Sequence, residues 1–334
     1  MGIRYGIIGC RHGHIAMFIE EMQTLGHTCA GIYEADDGRL ADQLAAKYNI
    51  PRVESRDVFL DPAVTVIGSA AIHNEKIAVI EWCELHGKHI MVDKPAVTDR
   101  DGLERLEAVI GRGRIQIGML LTERFRPAVH TLKQAIDAGE LGRLVSITMR
   151  KPHRLNPASR GAWHFSKRQS GGIIVDLLIH DFDLLLWLTG QSAASVQAVM
   201  TKNELPEYPE FWDAASAQVV TEGGVIGQLY ADWHTPDRSW TWGDCRLFVN
   251  GTAGFAELRL CGDPSVSDAD ELLLRVTDSQ PLERVELTPP PLTLTADFLR
   301  RVAGEPGALT HLDVLAASAL TIAADEAAVL RNNI

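Results

Sequence analysis

Up to about residue 120 the chain alternates between two hydrophobic periods. Ile3–Ile8 is a short apolar run that stops at Gly9 and predicts a buried strand. Ile15–Leu25 has helical spacing, Cys29–Tyr33 predicts a second strand, and Arg39–Tyr48 predicts a helix with Leu40, Leu44 and Tyr48 on one face. The same alternation continues with a strand at Val64–Gly68, a helix at Glu75–His86, a strand at His89–Val92, a helix at Asp101–Gly111 and a strand at Ile115–Leu120. Strands alternating with helices predict βαβ units, hence a parallel sheet with right-handed crossovers.

Beyond residue 123 the pattern changes. Arg126–Ala138 and Gly172–Leu188 have helical spacing, and Leu144–Arg150 alternates like a strand. Strand-like runs then follow at Val196–Thr201, Ala215–Thr221, Val225–Trp233, Cys245–Val249, Phe255–Leu260 and Leu272–Val276, with a hairpin signal at Gly223-Gly224. Helices are expected at about Thr293–Val302 and Leu312–Leu330, with Pro289-Pro290-Pro291 separating strand from helix. The fold class is therefore α/β: residues 1–122 form a Rossmann dinucleotide-binding domain, and residues 123–334 an α+β domain with an open, mainly antiparallel sheet.

Composition narrows the partners. The net charge of −12 argues against nucleic acid or an anionic membrane, both of which need a basic footprint. The five cysteines, Cys10, Cys29, Cys83, Cys245 and Cys261, are widely spaced without a C-x-x-C, so neither a disulfide framework nor a structural zinc is expected. With no signal-peptide pattern and no membrane-length apolar run, the expectation is a cytoplasmic protein.

The candidate chemistry begins at Gly9-Cys10-Arg11-His12-Gly13-His14, between the first strand and first helix. There a dinucleotide fold places its pyrophosphate against free amides at a helix N-terminus. The match to G-x-G-x-x-G is imperfect, since Arg11 and His14 hold glycine positions, and a plain strand–helix turn is the alternative. Glu34, with Asp36 and Asp37 beyond it, lies where a carboxylate accepts the adenosine ribose hydroxyls; this favours NAD over NADP, although Arg39 softens the preference. His12 and His14 have metal-ligand spacing, but without carboxylate or cysteine neighbours in sequence they read as loop residues near the cofactor, and no metal is expected.

His89–Pro95 brings Lys94 to the carboxyl end of a strand, where such folds bind ligands, and Pro95 fixes the turn and could hold a cis bond. In Gly171–Asp183, Asp176 and His180 stand four apart on an apolar helix and share a face. They form either a satisfied core pair or the acid–base lining of a cavity, and Asp183 reads as structural.

With these motifs the chain resembles the glucose–fructose oxidoreductase/inositol dehydrogenase (Gfo/Idh/MocA) family over nearly its whole length. The family's E-K-P appears as Asp93-Lys94-Pro95, its G-G-x-x-x-D-x-x-x-H as Gly171, Gly172, Asp176 and His180, its R-F-x-P as Arg124-Phe125-Arg126-Pro127, and its G-T-x-G as Gly251-Thr252-Ala253-Gly254. The resemblance implies an NAD- or NADP-dependent oxidoreductase acting on a sugar, polyol or sugar acid, a homodimer or homotetramer, and a catalytic set of Lys94, Asp176 and His180. Lys94 would contact the reacting hydroxyl, His180 would be general base in oxidation, and Asp176 would bind a substrate hydroxyl and orient His180. Cofactor contacts would come from Gly9–His14, Glu34, Asp36, Ala71 and Asp93–Pro95, and substrate contacts from Lys94, Arg124, Arg154, Trp163, His164, Asp176 and His180. One departure stands out: where the family reads T-P-N and then His, this chain has Ala71-Ile72-His73 and then Lys76.

Between Arg150 and Arg168 lie six Lys/Arg residues and two histidines with no Asp or Glu. This suggests an anionic substrate held near Arg154, Arg160 or His164; a solvated loop or subunit contact is the alternative. Trp163, Trp240 and Trp242 could stack on a sugar, though core packing is the commoner fate. Two other functions are open: a sensor binding NAD(H) and sugar without turnover, and an enzyme that retains its cofactor and disproportionates two sugars.

Overall fold

The computed structural model describes residues 2–334. In chain order the first elements are β1 (Arg4–Cys10), α1 (Ile15–Thr24), β2 (Thr28–Tyr33), α2 (Arg39–Tyr48), β3 (Val64–Ala70), α3 (Lys76–Leu85), β4 (His89–Val92), α4 (Arg100–Arg112) and β5 (Ile117–Met119). Next come α5 (Pro127–Asp137), β6 (Leu144–Pro152), a π-helical turn at Ile174–Leu178, α6 (Ile179–Thr189), β7 (Ala193–Lys202), β8 (Ala214–Thr221), β9 (Ile226–Asp232), β10 (Arg246–Gly251), β11 (Gly254–Arg259), β12 (Leu272–Thr277) and β13 (Glu283–Arg284). The chain ends with α7 (Leu294–Val302), α8 (His311–Glu326) and β14 (Ala328–Asn332).

The chain divides into two compact units. The first comprises residues 1–121 with the segments Arg168–Gly171 and Leu292–Ser318; the second comprises Thr122–Lys167, Gly172–Pro291 and Ala319–Ile334. The expected span of 123–334 for the second domain is thus interrupted twice. Specific bonds account for the longer interruption. Thr295 N donates to Glu21 at 2.9 Å, Arg301 Nη2 to the Ile117 carbonyl at 2.9 Å, and Ile117 N to His311 Nε2 at 2.9 Å, so α7 and the start of α8 close over the parallel sheet.

The first unit holds a five-stranded sheet in the order β2-β1-β3-β4-β5, all parallel. Its strands are nearly continuous apolar runs, as expected of a sheet covered on both faces. Ile7, Val66, Ile67, Ile90, Met91 and Ile117 are fully buried. The strand order reverses between β1 and β3, and ligands of open α/β sheets bind at the carboxyl ends of strands at such a switch point. In this unit the switch point falls at the loops after β1 and β3, with the loop after β4 next to them.

The second unit holds a nine-stranded sheet in the order β13-β12-β11-β10-β6-β9-β8-β7-β14. All its pairings are antiparallel except β6 with β9 and β7 with β14. Its core joins one sheet face to α5 and α6 through Leu132, Ile147, Met149, Phe182, Leu185, Leu229 and Leu247. The glycine pair opens the β8–β9 hairpin, with Gly224 at φ +83°. The final helix is shorter than the apolar pattern predicts. It stops at Glu326, and Ala328–Asn332 pairs in parallel with β7. Among the described residues all five cysteines are free, and no helix is long and apolar enough to cross a membrane.

Candidate functional site

In the first unit the turn after β1 begins at Gly9, whose φ of +81° is open to glycine. A Cβ here would lie 2.5 Å from the Ala71 Cβ, so the loops after β1 and β3 touch only because the side chain is absent. Arg11 N donates to the Ala70 carbonyl at 2.8 Å and completes the join. α1 follows with no side-chain cap and no acidic residue in its first turn; Ala16 N and Met17 N donate to the Gly13 and His14 carbonyls, so the terminus offers an anion its positive dipole end and the amides that precede them. A Cβ on Gly13 would meet nothing within 4 Å, which leaves the approach to those amides open. The turn therefore has what a pyrophosphate requires, although Arg11 and His14 occupy positions where glycine is usual.

Glu34 at the end of β2 is almost fully enclosed. Its Oε2 accepts from Cys10 N at 2.7 Å and its Oε1 from Asp36 N at 3.1 Å, with Arg11 Nη1 4.0 Å away. The exposed Asp36 carboxylate lies 3.6 Å from the same guanidinium. Part of Glu34's accepting capacity is thus committed to the turn itself, and Asp36 is the more accessible acid. Asp37 pairs with Arg39 on the surface.

Asp93 is the hub of the loops after β1, β3 and β4. His12 Nδ1 and its Oδ2 are 2.7 Å apart, His14 Nδ1 and its Oδ1 3.1 Å, and the Lys76 ammonium lies 3.7 Å from Oδ2. Burial would raise the Asp93 pKa, but the Lys76 ammonium, with the His12 and His14 rings beside it, overcomes it and holds the carboxyl well below its usual range. Burial pushes His12 the other way, down to about 4, so its imidazole is neutral near pH 7. Ligand-type atoms of His12, His14 and Asp93 all lie within 4.8 Å of one another. The carboxylate missing beside the two histidines in sequence is supplied by the fold, roughly 80 positions away. Lys76 already compensates that carboxylate's charge and would repel a dication, so the arrangement favours a hydrogen-bonded cluster over a metal centre. Lys94 itself is buried and follows directly, with a cis Lys94–Pro95 bond.

In the second unit Asp176 lies in the π-helical turn and His180 in the first turn of α6. The single helix expected over 172–188 is therefore two kinds of helix in series. A π turn widens the i→i+4 spacing to i→i+5 bonding, and such turns recur at functional sites. Both side chains are buried, at 4% and 7% exposure. A charge network lies alongside: Lys151 Nζ is 3.3 Å from Glu123 and 3.6 Å from Asp181. Burial raises Glu123, but Lys151, Arg126 and His180 together take it down to about 2, whereas burial dominates at Asp181 and lifts it to about 7. The network was not legible in sequence because its members lie on separate elements.

The basic stretch resolves into individual pairings. Lys151 belongs to the network above, and Lys167 is held by both oxygens of Asp325 at 2.6 and 2.7 Å. Arg154 donates to the carbonyls of Pro236 and Ser239 and covers Trp242, and Arg150 lies over Tyr230. Arg160 stacks on Trp233 at 4.7 Å and donates through Nε to the Leu155 carbonyl, and its pKa, lowered by burial, is partly restored by the Asp176 charge. Arg168 falls in the first unit. Most of the cations expected to gather an anion thus have carboxylate, carbonyl or aromatic partners. Arg124 is buried with Nε and Nη2 on the two oxygens of Asp183, so its fork serves the helix. His164 and Trp163 are buried, with His164 against Phe165, Phe211 and Trp233. Trp240 and Trp242 are exposed rather than core.

A five-stranded parallel sheet followed by an open mixed sheet defines a two-unit class of α/β proteins, and comparison with known proteins narrows that class. The GFO/IDH/MocA C-terminal domain model matches residues 129–257. Inositol 2-dehydrogenase 2 of Saccharopolyspora erythraea is 29% identical over 239 residues, 68% of this chain and 65% of that protein. The scyllo-inositol 2-dehydrogenase (NAD(+)) of Bacillus subtilis is 29% identical over 64% of this chain and 61% of its own length. The alignments thus span less than two thirds of either dehydrogenase. A crystal structure from Erwinia carotovora atroseptica, described as an oxidoreductase with no substrate given, superposes with a TM-score of 0.90 at 27% identity, covering 98% of this chain and 99% of that one. Over residues 129–257 the chain is thus similar to the GFO/IDH/MocA C-terminal domain, and its whole length shares the fold of that oxidoreductase structure.

Proposed function

We propose that the protein is a nicotinamide-dependent dehydrogenase, using NAD in preference to NADP, that oxidises a hydroxyl-bearing carbon of a sugar or polyol or runs the reverse reduction. The observation that carries the reading is the turn at the β1/β3 switch point: left-handed Gly9 against Ala71, an uncapped α1 N-terminus, and acids at the end of β2. The two inositol dehydrogenases described above support a polyol, and the name of one of them specifies NAD. The turn amides and Arg11 would hold the pyrophosphate, Asp36 and Glu34 the adenosine ribose. Bound there, the nicotinamide supplies the hydride chemistry that no side chain can perform.

The protein's own groups handle binding and the proton. Lys94 donates to the reacting oxygen and favours its deprotonated form. His180 takes the hydroxyl proton in oxidation and returns it in reduction. Asp176 accepts from a neighbouring substrate hydroxyl and orients His180. Because most of the basic stretch is already paired, a neutral sugar or polyol is the preferred substrate, with a sugar acid requiring Arg160.

The test is a panel of sugars, polyols and sugar acids with NAD and with NADP, followed by the absorbance of the reduced cofactor. Lys94→Ala and His180→Ala should each lose about 10²-fold or more in kcat, the scale of a positioned acid–base group. Undiminished turnover in His180→Ala, or binding of nucleotide and sugar with no turnover of any panel member, would overturn the assignment.

A further inference from the structure

We propose that Lys76 is a positioning residue for Lys94; the inference rests on the role just given to Lys94. Lys76 opens α3 and is completely buried, with 0% of its surface exposed. Its Nζ donates to the carbonyl of Lys94 at 3.1 Å and to the carbonyl of Pro95 at 3.3 Å, and lies 3.7 Å from Asp93 Oδ2. One ammonium thus reaches the three consecutive residues that leave β4. An ammonium offers three donors and no acceptor, and it meets three acceptors here.

The arrangement is costly as mere filling. Burying an ammonium demands compensation that an apolar side chain of similar length would not need. What the charge adds is direction. The sheet register fixes β4 only as far as Val92, paired with Ser69, and Asp93 N makes a further bond to the Ser69 carbonyl at 2.7 Å. Past that point the carbonyls of Lys94 and Pro95 turn to Lys76, so the peptide plane that follows the Lys94 Cα, and the next one after Pro95, are held by the Lys76 ammonium. Asp93 is in turn held by His12 and His14 from the loop after β1. The Lys94 side chain is therefore aimed by a cluster anchored on three strands, with Lys76 as the member that grips its backbone.

The test compares the full-length protein with Lys76→Met, Lys76→Gln and Lys76→Arg. Four quantities are measured: kcat and its pH profile, the Kd for NADH by fluorescence, the thermal midpoint, and the titration of Lys94 by carbon-13 NMR of labelled lysine, assigned with Lys94→Arg. Displacing a reacting group by about 1 Å costs on the order of 10²-fold. Lys76→Met is expected to lower kcat by about 10- to 100-fold, move the Lys94 titration and the matching limb of the pH profile, and leave the NADH Kd within about threefold. Lys76→Arg should recover part of both. If the Met variant does not fold, the Gln variant decides on the same criteria. Unchanged kcat and an unchanged Lys94 titration would overturn the proposal. So would a loss in thermal midpoint, NADH affinity and kcat together with the Lys94 titration unmoved, the signature of a structural role. Should the wild-type protein turn over no sugar or polyol, the dehydrogenase reading fails, and the Lys94 titration alone decides for or against Lys76.

Discussion

Arg124 and Asp183 meet fork to fork inside the second unit, Nε to Oδ2 at 2.8 Å and Nη2 to Oδ1 at 2.5 Å, with both residues almost fully buried. The pair joins the segment before α5 to the middle of α6, the helix whose first turn carries His180. Removing one partner leaves an uncompensated buried charge, which costs about 3–5 kcal/mol. Asp183→Ala and Arg124→Ala should each lower stability by that amount in urea unfolding. The double replacement Arg124→Met with Asp183→Leu should cost clearly less than the sum of the two single changes, because no charge is stranded.

Much of the fold is legible in the sequence itself. Asp183 reads as structural from its place on an apolar helix, and β1 to β5 with their helices follow from runs bounded by glycine and polar turns. The periodicities are local, and so is their signal. What escaped is assembled from a distance. The two-residue β13 is too short to show a period. The Ala328–Asn332 strand is hidden because an alanine-rich helix runs into it without a breaker, and only its pairing with β7 makes it a strand. The Asp93 cluster draws on loops roughly 80 positions apart, so His12 and His14 show no carboxylate neighbour in sequence. Lys76 stands out in sequence only as a lysine where the family pattern has histidine, and its burial gives that difference a meaning.

On the proposed dehydrogenase reading, cofactor choice turns on Asp36. A 2′-phosphate placed near this exposed carboxylate and Glu34 would meet two negative charges, with Arg11 alone to offset them. The wild-type protein should therefore give a higher kcat/KM with NAD than with NADP. Asp36→Ala should narrow the gap by about tenfold, the equivalent of about 1.4 kcal/mol. Glu34→Ala should weaken both nucleotides, because it also strips the Cys10 amide of its acceptor.

Gly9 tests the turn itself. Alanine there must hold φ at +81° and place a methyl 2.5 Å from the Ala71 Cβ and 2.7 Å from its Cα. Relief requires the loops after β1 and β3 to part, an overpacking cost of about 1–3 kcal/mol. Gly9→Ala should show that loss in urea unfolding and a matching drop in NADH affinity by fluorescence titration. Gly13→Ala, with nothing within 4 Å of its added Cβ, should leave stability nearly unchanged.

His311 gives the fold a defined acid sensitivity. Its Nε2 accepts from Ile117 N at 2.9 Å, which only the neutral ring can do, and burial, with Arg301 and His89 nearby, lowers its pKa from 6.5 to about 4. Between those two values the unfolded chain binds a proton that the native chain refuses, so the unfolded state carries more protons and stability must fall as pH falls. Below about 4 both states are protonated and the loss levels off. The urea midpoint should hence drop between pH 6.5 and pH 4, with His12, also pushed down to about 4 by burial, contributing in the same direction. Replacing His311 by glutamine keeps a side-chain oxygen able to accept from the Ile117 amide but removes the titration. The His311→Gln variant should show a pH slope shallower by about one proton over this window. An equal slope in wild type and variant would mean that the ring is not held neutral against β5.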